Sequence, residues 1–152
     1  MAAKTLNLDN FLPYRLSIAS NRVSEAIATA YHALFGLRIP EWRLVAVIAE
    51  SSGVTQQALV TATRMDKVSV SRAAIALVDR GLVERKPNPG DQRSHLLSLT
   101  VAGRALYESV APKALELEER VFGGFSADEL GHFQSMLDRI ESAAAALDPA
   151  SG

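Results

Sequence analysis

The sequence predicts a mainly α-helical chain with one small β-hairpin, and three observations carry that expectation. Apolar residues at helical spacing recur through most of the 152 residues, in segments punctuated by Gly36, Gly81 and Gly123-Gly124. Residues 55–80 read as a short helix, a tight turn and a longer helix whose first turns are polar and basic. Directly after them, apolar runs at 82–86 and 95–99 flank Asn88-Pro89-Gly90-Asp91, a tip dense in turn-forming residues. Two packed helices followed at once by a hairpin describe a winged helix-turn-helix. Its second helix enters the major groove of DNA, and its hairpin, the wing, can reach the neighbouring groove.

Taken in order, the chain opens with a long helix expected from about Leu12 to Phe35. Leu16, Val23, Ile27, Ala30 and Leu34 keep helical spacing, so this helix has a face to bury. Pro13 falls in its first turn, where no intrahelical donor is lost. Arg15 and Arg22 are seven apart and share a face; solvated, snorkelling arginines account for them, and the alternative is that Arg15 faces a cavity and pairs with an anionic ligand. Gly36 ends this helix and Pro40 opens the next, at Pro-Glu-Trp-Arg. There Trp42, Val45 and Ile48 form an apolar face, with Leu44 and Val47 beside it. Trp42, the single tryptophan, reads structurally as an anchor between the first helix and the reading head. Read functionally, Trp42 beside Arg43 could hold an aromatic acid.

Thr55 is the expected N-cap of the short helix (55–62), which has Leu59 and Ala62 on its apolar side, and Asp66 is that of the longer one (66–80). Val70, Ala74 and Leu77 give the longer helix a single buried stripe. Lys67, Val68, Ser69, Ser71 and Arg72 then face mostly away from it. In a recognition helix, Ser69, Ser71 and Arg72 would meet base edges, Lys67 a phosphate and Val68 a thymine methyl. Gly81 closes the helix, tolerating positive φ. In the wing (82–99), Asp91 and Arg93 point to the same side if strand geometry persists that far. An arginine at such a tip, held by a nearby carboxylate, suits the negative potential of a narrow minor groove.

Four runs together resemble one known family: Met65-Asp66-Lys67-Val68-Ser69-Val70-Ser71-Arg72, Gly81-Leu82-Val83, Asp91-Gln92-Arg93 and Leu99-Thr100-Val101-Ala102-Gly103. They are similar to the multiple antibiotic resistance regulator (MarR) family, and the resemblance covers nearly the whole chain. The Asp-x-Arg wing signature followed by Leu-Thr-x-x-Gly is its most specific part. It implies a dimeric DNA-binding transcriptional regulator. It also implies an effector, since relatives often bind small phenolic or aromatic carboxylates, sometimes as coenzyme A thioesters, and then release DNA.

Past the wing, Thr100 is the expected N-cap of a long helix through about Phe122, with a kink expected at Pro112. Gly123-Gly124 should break it. Ser126 and Glu129 form a capping box for the last helix, which carries Leu130, Phe133, Leu137 and Ile140 on one face and extends through Ala143–Ala146. Residues 148–152 are expected to fray. The organisation expected is a helical dimerisation region from residues 1–38 and 104–152 around a winged helix-turn-helix at 39–103. The surplus apolar faces of the first, fifth and sixth helices argue for a homodimer. A two-fold dimer should read an inverted repeat with half-sites roughly 34–36 Å apart.

Composition fits a globular protein, at 48% hydrophobic and 22% charged residues. No cleavable signal and no bilayer-length apolar run are visible, so the expectation is a cytoplasmic protein without a membrane partner. Net charge is only −1, but its distribution is uneven. Residues 64–93 hold seven Lys/Arg against four Asp/Glu, whereas residues 104–152 hold four against nine. A basic middle on an acidic scaffold suits a DNA reader with a separate assembly region. Cysteine is absent, which rules out disulfides and thiol-based sensing. His32, His95 and His132 are far apart and read as ordinary histidines rather than metal ligands. No phosphate loop, nucleophile elbow or metal-spaced cluster appears, so neither an enzyme nor a cofactor is expected.

The reading is therefore a DNA-binding repressor, released from a pseudo-palindromic operator by a small effector. A winged-helix protein-assembly module without sequence-specific DNA binding is the alternative. Cationic Arg72 and Arg93, which such a module does not need, discriminate against it.

Overall fold

The computed structural model describes residues 4–149, so residues 150–152 of the stretch expected to fray lie outside the described residues. After a 3-10 turn at Leu8–Asn10 come α1 (Leu12–Phe35), α2 (Ile39–Ala49), α3 (Gln56–Thr63) and α4 (Lys67–Asp79). The hairpin β1 (Val83–Pro87) and β2 (His95–Leu99) follows, then α5 (Val101–Phe122) and α6 (Ala127–Ala145). The chain divides into two compact units, residues 1–114 and 115–152.

In the first unit, α2, α3 and α4 enclose the core. Leu44, Val45, Ile48, Leu59, Val70, Ala74 and Leu77 are all 1% exposed or less. Both glycines expected to end helices do so in the left-handed region, Gly36 at φ 63 and Gly81 at φ 72. The Arg80 guanidinium donates to the carbonyls of Phe35 (3.3 Å) and Gly36 (3.1 Å), tying the end of α4 to the end of α1. The antiparallel hairpin pairs Val83 with Leu99, Arg85 with Leu97 and Pro87 with His95. Val54 adds an isolated bridge to β2: its N–H donates to the Leu97 carbonyl (3.0 Å), and the Leu97 N–H returns a bond of 2.7 Å.

The Leu-Thr-x-x-Gly segment joins the wing to α5. The Thr100 hydroxyl donates to the Gly81 carbonyl (2.6 Å) and accepts the Gly103 N–H (3.0 Å). The Thr100 N–H donates to the Leu82 carbonyl (3.1 Å). Gly103 sits against that same carbonyl, so close that a side chain there would collide with it. The start of α5 is thereby seated on the residues that end the recognition helix. The α5 helix runs from Val101 to Phe122 with Pro112 inside it.

The apolar stripe of α1 departs from expectation. Leu16 and Leu34 are exposed, Val23, Ile27 and Ala30 are only half-buried, and Tyr31 is the one buried residue of the helix. Its periodicity is helical, but the face stays largely uncovered in a single chain.

In the second unit, Gly123 ends α5 with its N–H on the Glu119 carbonyl (2.7 Å). The expected capping box starts α6: the Ser126 hydroxyl accepts the Glu129 N–H (3.1 Å), and the Glu129 carboxylate accepts the Ser126 N–H (2.9 Å). Phe122 lies 6.4 Å from Phe125 and 6.3 Å from Phe133, centroid to centroid. Along the α6 face, Leu130 and Leu137 are half-buried while Phe133 and Ile140 remain exposed.

Candidate nucleic-acid interface

The reading head is assembled by local hydrogen bonds. The Thr55 hydroxyl accepts the Ala58 N–H (3.1 Å) and starts α3. That helix ends at Arg64, which takes φ 57, the one positive-φ residue other than glycine among the described residues. The left-handed step turns the chain within three residues into Asp66, the N-cap of α4. One Asp66 carboxylate oxygen accepts the Ser69 N–H and the other the Ser69 hydroxyl, both at 2.8 Å. These hydrogen bonds to the charged form hold the Asp66 carboxyl below the usual carboxylate range.

The expected recognition residues are backed by the buried Val70, Ala73, Ala74 and Leu77. Lys67, Val68 and Arg72 are exposed, and Ser69 and Ser71 are half-buried. Because the Ser69 hydroxyl gives its proton to Asp66, it presents only lone pairs outward and can act only as an acceptor. Arg72 shares a shallow cleft of about 180 Å³ with Arg38, Pro40, Glu41 and Ser69. Glu41 is buried there, with its carboxylate accepting the Arg38 N–H (2.9 Å).

The wing tip corrects one expectation. Strand geometry ends at Pro87 and resumes at His95, so Asp91 and Arg93 do not share a strand face. The tip is a series of side chain-to-backbone turns instead. Asn88 Oδ1 accepts the Gly90 N–H (3.0 Å) while its Nδ2 donates to the Ser94 hydroxyl (2.9 Å). Asp91 Oδ1 accepts the Arg93 N–H (2.9 Å). Asp91 thus fixes the backbone from which Arg93 projects.

Below the tip the hairpin separates its charges by face. Glu84 and Lys86 pair at 3.2 Å on one face. Arg85, Leu97 and His95 share the other, as their register requires. That second face borders a cleft of about 380 Å³, lined by Thr55, Gln56, Gln57, Arg85, Arg93, Ser94, His95 and Leu97. Apart from Arg93, the sequence reading assigned none of these to a site. The alternation of Arg85 with the Glu84 and Lys86 pair was the available signal.

Of the ligand candidates, Trp42 lies between two aromatic rings. Tyr31 of α1 meets it edge-on at 5.8 Å, and Tyr107 of α5 stacks on it at 5.9 Å and 17°. Burial raises the Tyr31 hydroxyl pKa above its ordinary value. The Arg104 guanidinium sits 5.8 Å from the Tyr107 ring and donates to the Ala49 carbonyl at the end of α2 (3.2 Å). Arg43 is exposed. Arg15 is exposed as well, donating to the Asp9 carbonyl (3.3 Å). It precedes Tyr31 by sixteen residues of continuous helix, roughly 24 Å along the axis. Arg15 and Trp42 are therefore not one compact cluster within a chain.

Residues 35–94, spanning the end of α1 through the wing tip, match the family model described as MarR family. The transcriptional regulator HosA of Escherichia coli O111:H- is 27% identical over 112 residues, covering 74% of this chain and 83% of HosA. Over residues 35–94 the chain is similar to the MarR family. A second relative, the HTH-type transcriptional repressor NicR of Pseudomonas putida, is 32% identical over 93 residues, 59% of each chain. A MarR/EmrR family regulator from Acinetobacter sp. ADP1 superposes with a TM-score of 0.84 at 25% identity, covering 93% of this chain and all of the other. MarR-family proteins of this fold are transcriptional regulators rather than enzymes, and the winged helix described above is their DNA-binding element. Among the described residues, no group of three or more His, Cys, Asp or Glu could hold a metal, and no helix is long and apolar enough to cross a membrane.

Proposed function

We propose that this chain is a homodimeric repressor of the MarR family. It grips an inverted-repeat operator and releases it when a small aromatic or phenolic carboxylate, free or as its coenzyme A thioester, binds. The observation that carries the reading is the pairing of a capped α4, with Lys67, Val68 and Arg72 exposed, and a wing whose tip presents Arg93 from a fixed backbone. Ser69, Ser71 and Arg72 read base edges in the major groove, with Lys67 at a phosphate and Val68 at a thymine methyl. Arg93, oriented through Asp91, enters the minor groove.

Assembly is supported by apolar surface that one chain leaves open. Leu12, Leu16 and Ile18 are exposed on α1, as are Phe133, Met136 and Ile140 on α6. Large apolar side chains left exposed on each of these two helices suit pairing with another chain. Residues 1–38 and 104–152 serve this assembly, and 39–103 serve DNA. The repressor sign follows NicR's own description, and the effector class follows the family resemblance. Arg15, Trp42 and Arg43 are its proposed contacts, with Arg15 drawn from a second copy if one compact ligand is to reach both Arg15 and Trp42. A regulator reading chromosomal DNA of this kind works in the cytoplasm.

The test is fluorescence anisotropy on a duplex from the region flanking the gene, with light scattering to count chains per complex. Two chains should bind, and Arg93→Ala should weaken both operator and random duplex and reduce the salt slope by about one unit. A single chain on DNA, or an unchanged Arg93→Ala slope, contradicts the reading.

A further inference from the structure

We propose that the cleft between the first turn of α3 and the Arg85 face of the wing seats a phosphate of the DNA backbone, with Arg85 as its principal cation. The inference rests on the DNA-binding reading above and adds a contact to it. Three observations lead there.

The hairpin sorts its charges by face. Lys86 is neutralised by Glu84 at 3.2 Å. Arg85, one residue between them, faces the other way with Leu97 and His95. The cleft on that face is lined by Arg85, Arg93 and His95 together with Thr55, Gln56 and Gln57, and no carboxylate lines it. Its chemistry therefore selects an anion surrounded by hydrogen-bond donors. The backbone N–H groups of Gln56 and Gln57 lie in the first turn of α3, where a helix supplies no acceptor of its own.

Position identifies the anion. The recognition helix occupies the major groove and the wing tip the adjacent minor groove. The ridge separating the two grooves is the sugar-phosphate backbone, which must pass between these elements. The cleft runs from the wing, including Arg93 of its tip, to the first turn of α3, the helix that leads into α4. Arg85 is a positioning contact here: it fixes register on the duplex and carries no base preference.

Arg85 is exposed, so Arg85→Gln leaves the fold's core untouched. In anisotropy titrations across a salt series, the variant should lose about 0.9 from the salt slope, one phosphate's share, on operator and random duplex alike, with their affinity ratio unchanged. A scan of single methylphosphonate substitutions should then find one backbone position that weakens the wild-type protein but weakens Arg85→Gln no further. An unchanged slope, a changed operator-to-random ratio, or a scan with no such position overturns the assignment. Benzoate titrated into the free protein provides a further check. Binding that Arg85→Gln abolishes would give the cleft to a small carboxylate and overturn the phosphate assignment; equal behaviour of the two proteins is expected. Failure of the wild-type protein to bind any duplex would remove the DNA reading itself. Wild-type binding with an unaltered Arg85→Gln slope removes only this contact.

Discussion

Replacing Gly103 with alanine tests how the wing is held to α5. A Cβ there would overlap the Leu82 carbonyl oxygen, lie 3.0 Å from the carbonyl carbon and come within 3.3 Å of Leu99 Cδ2. The obstacle is backbone, and it is pinned: the Leu82 carbonyl accepts the Thr100 N–H at 3.1 Å. Thr100 is itself fixed by its hydroxyl to Gly81 (2.6 Å) and Gly103 (3.0 Å). Relief requires the start of α5 to lift from the α4–β1 junction. Forcing extra volume into packed structure costs about 1–3 kcal/mol, with this site toward the upper end because no side chain can rotate away. Alanine's better helix propensity offsets up to about 1 kcal/mol. The net is a loss of about 1–2 kcal/mol, or roughly 2–8 °C in melting temperature for a chain of this size.

Gly131 provides the control. It lies on the polar side of α6 with Gln134 and Asp138, and a Cβ there meets nothing within 4 Å. Gly131→Ala should raise stability by about 0.5–1 kcal/mol. The assay is thermal unfolding by circular dichroism at one fixed protein concentration, since the melting of any assembly depends on concentration. Gly103→Ala melting at or above the wild-type temperature, with Gly131→Ala behaving as stated, would refute the close-approach argument.

Two further outcomes follow from the interface and the proposed effector site. Arg72→Ala should lower the preference for operator over random duplex, because a bidentate arginine–guanine pair gives about 1–3 kcal/mol of discrimination. Loss of affinity with that ratio intact, read by competition binding, would make Arg72 a phosphate contact. Aromatic acids and their thioesters, screened for operator release, should yield a compound that shifts DNA affinity about 5–150-fold, the range of a coupling of ~1–3 kcal/mol. Arg15→Ala and Arg43→Ala should blunt that release; equal release from both variants removes these arginines from the site.

Features decided within a few residues were legible in the sequence. Thr55, Asp66 and the Ser126–Glu129 pair are caps because each side chain reaches a backbone N–H only three residues away. Gly36 and Gly81 end helices because their backbone turns left-handed there. What escaped depends on distance or register. Arg80 reaches carbonyls 44 and 45 residues back, and Tyr107 stacks on a tryptophan 65 positions earlier; no local spacing announces either. Arg85 joins the cleft because pairing with Leu97 sets which face it takes, and that register was unknown until the strands were placed. At the wing tip, local side-chain capping by Asn88 and Asp91 outcompeted the extended geometry that the two-residue spacing suggested. On α4, the exposed residues were visible because helical periodicity alone separates them from Val70, Ala74 and Leu77. The ligand candidates were not resolvable in that way, since Arg15 and Trp42 lie on different helices.

The aromatic stack around Trp42 makes the junction of α1, α2 and α5 directly observable by light. The chain has one tryptophan, so its emission arises from a single location. Tyr31 and Tyr107 lie within 6 Å of its ring, close enough for efficient energy transfer from tyrosine to tryptophan and for the rigid coupled rings to give a near-ultraviolet dichroic band. Any event that slides α5 over α2 breaks the parallel Tyr107 stack before it disturbs the edge-on Tyr31 contact. Emission wavelength, quenching by iodide and the near-ultraviolet band then become separate gauges of the same seam. The protein carries its own optical strain gauge between α1 and α5 on one side and the winged helix on the other, requiring no label.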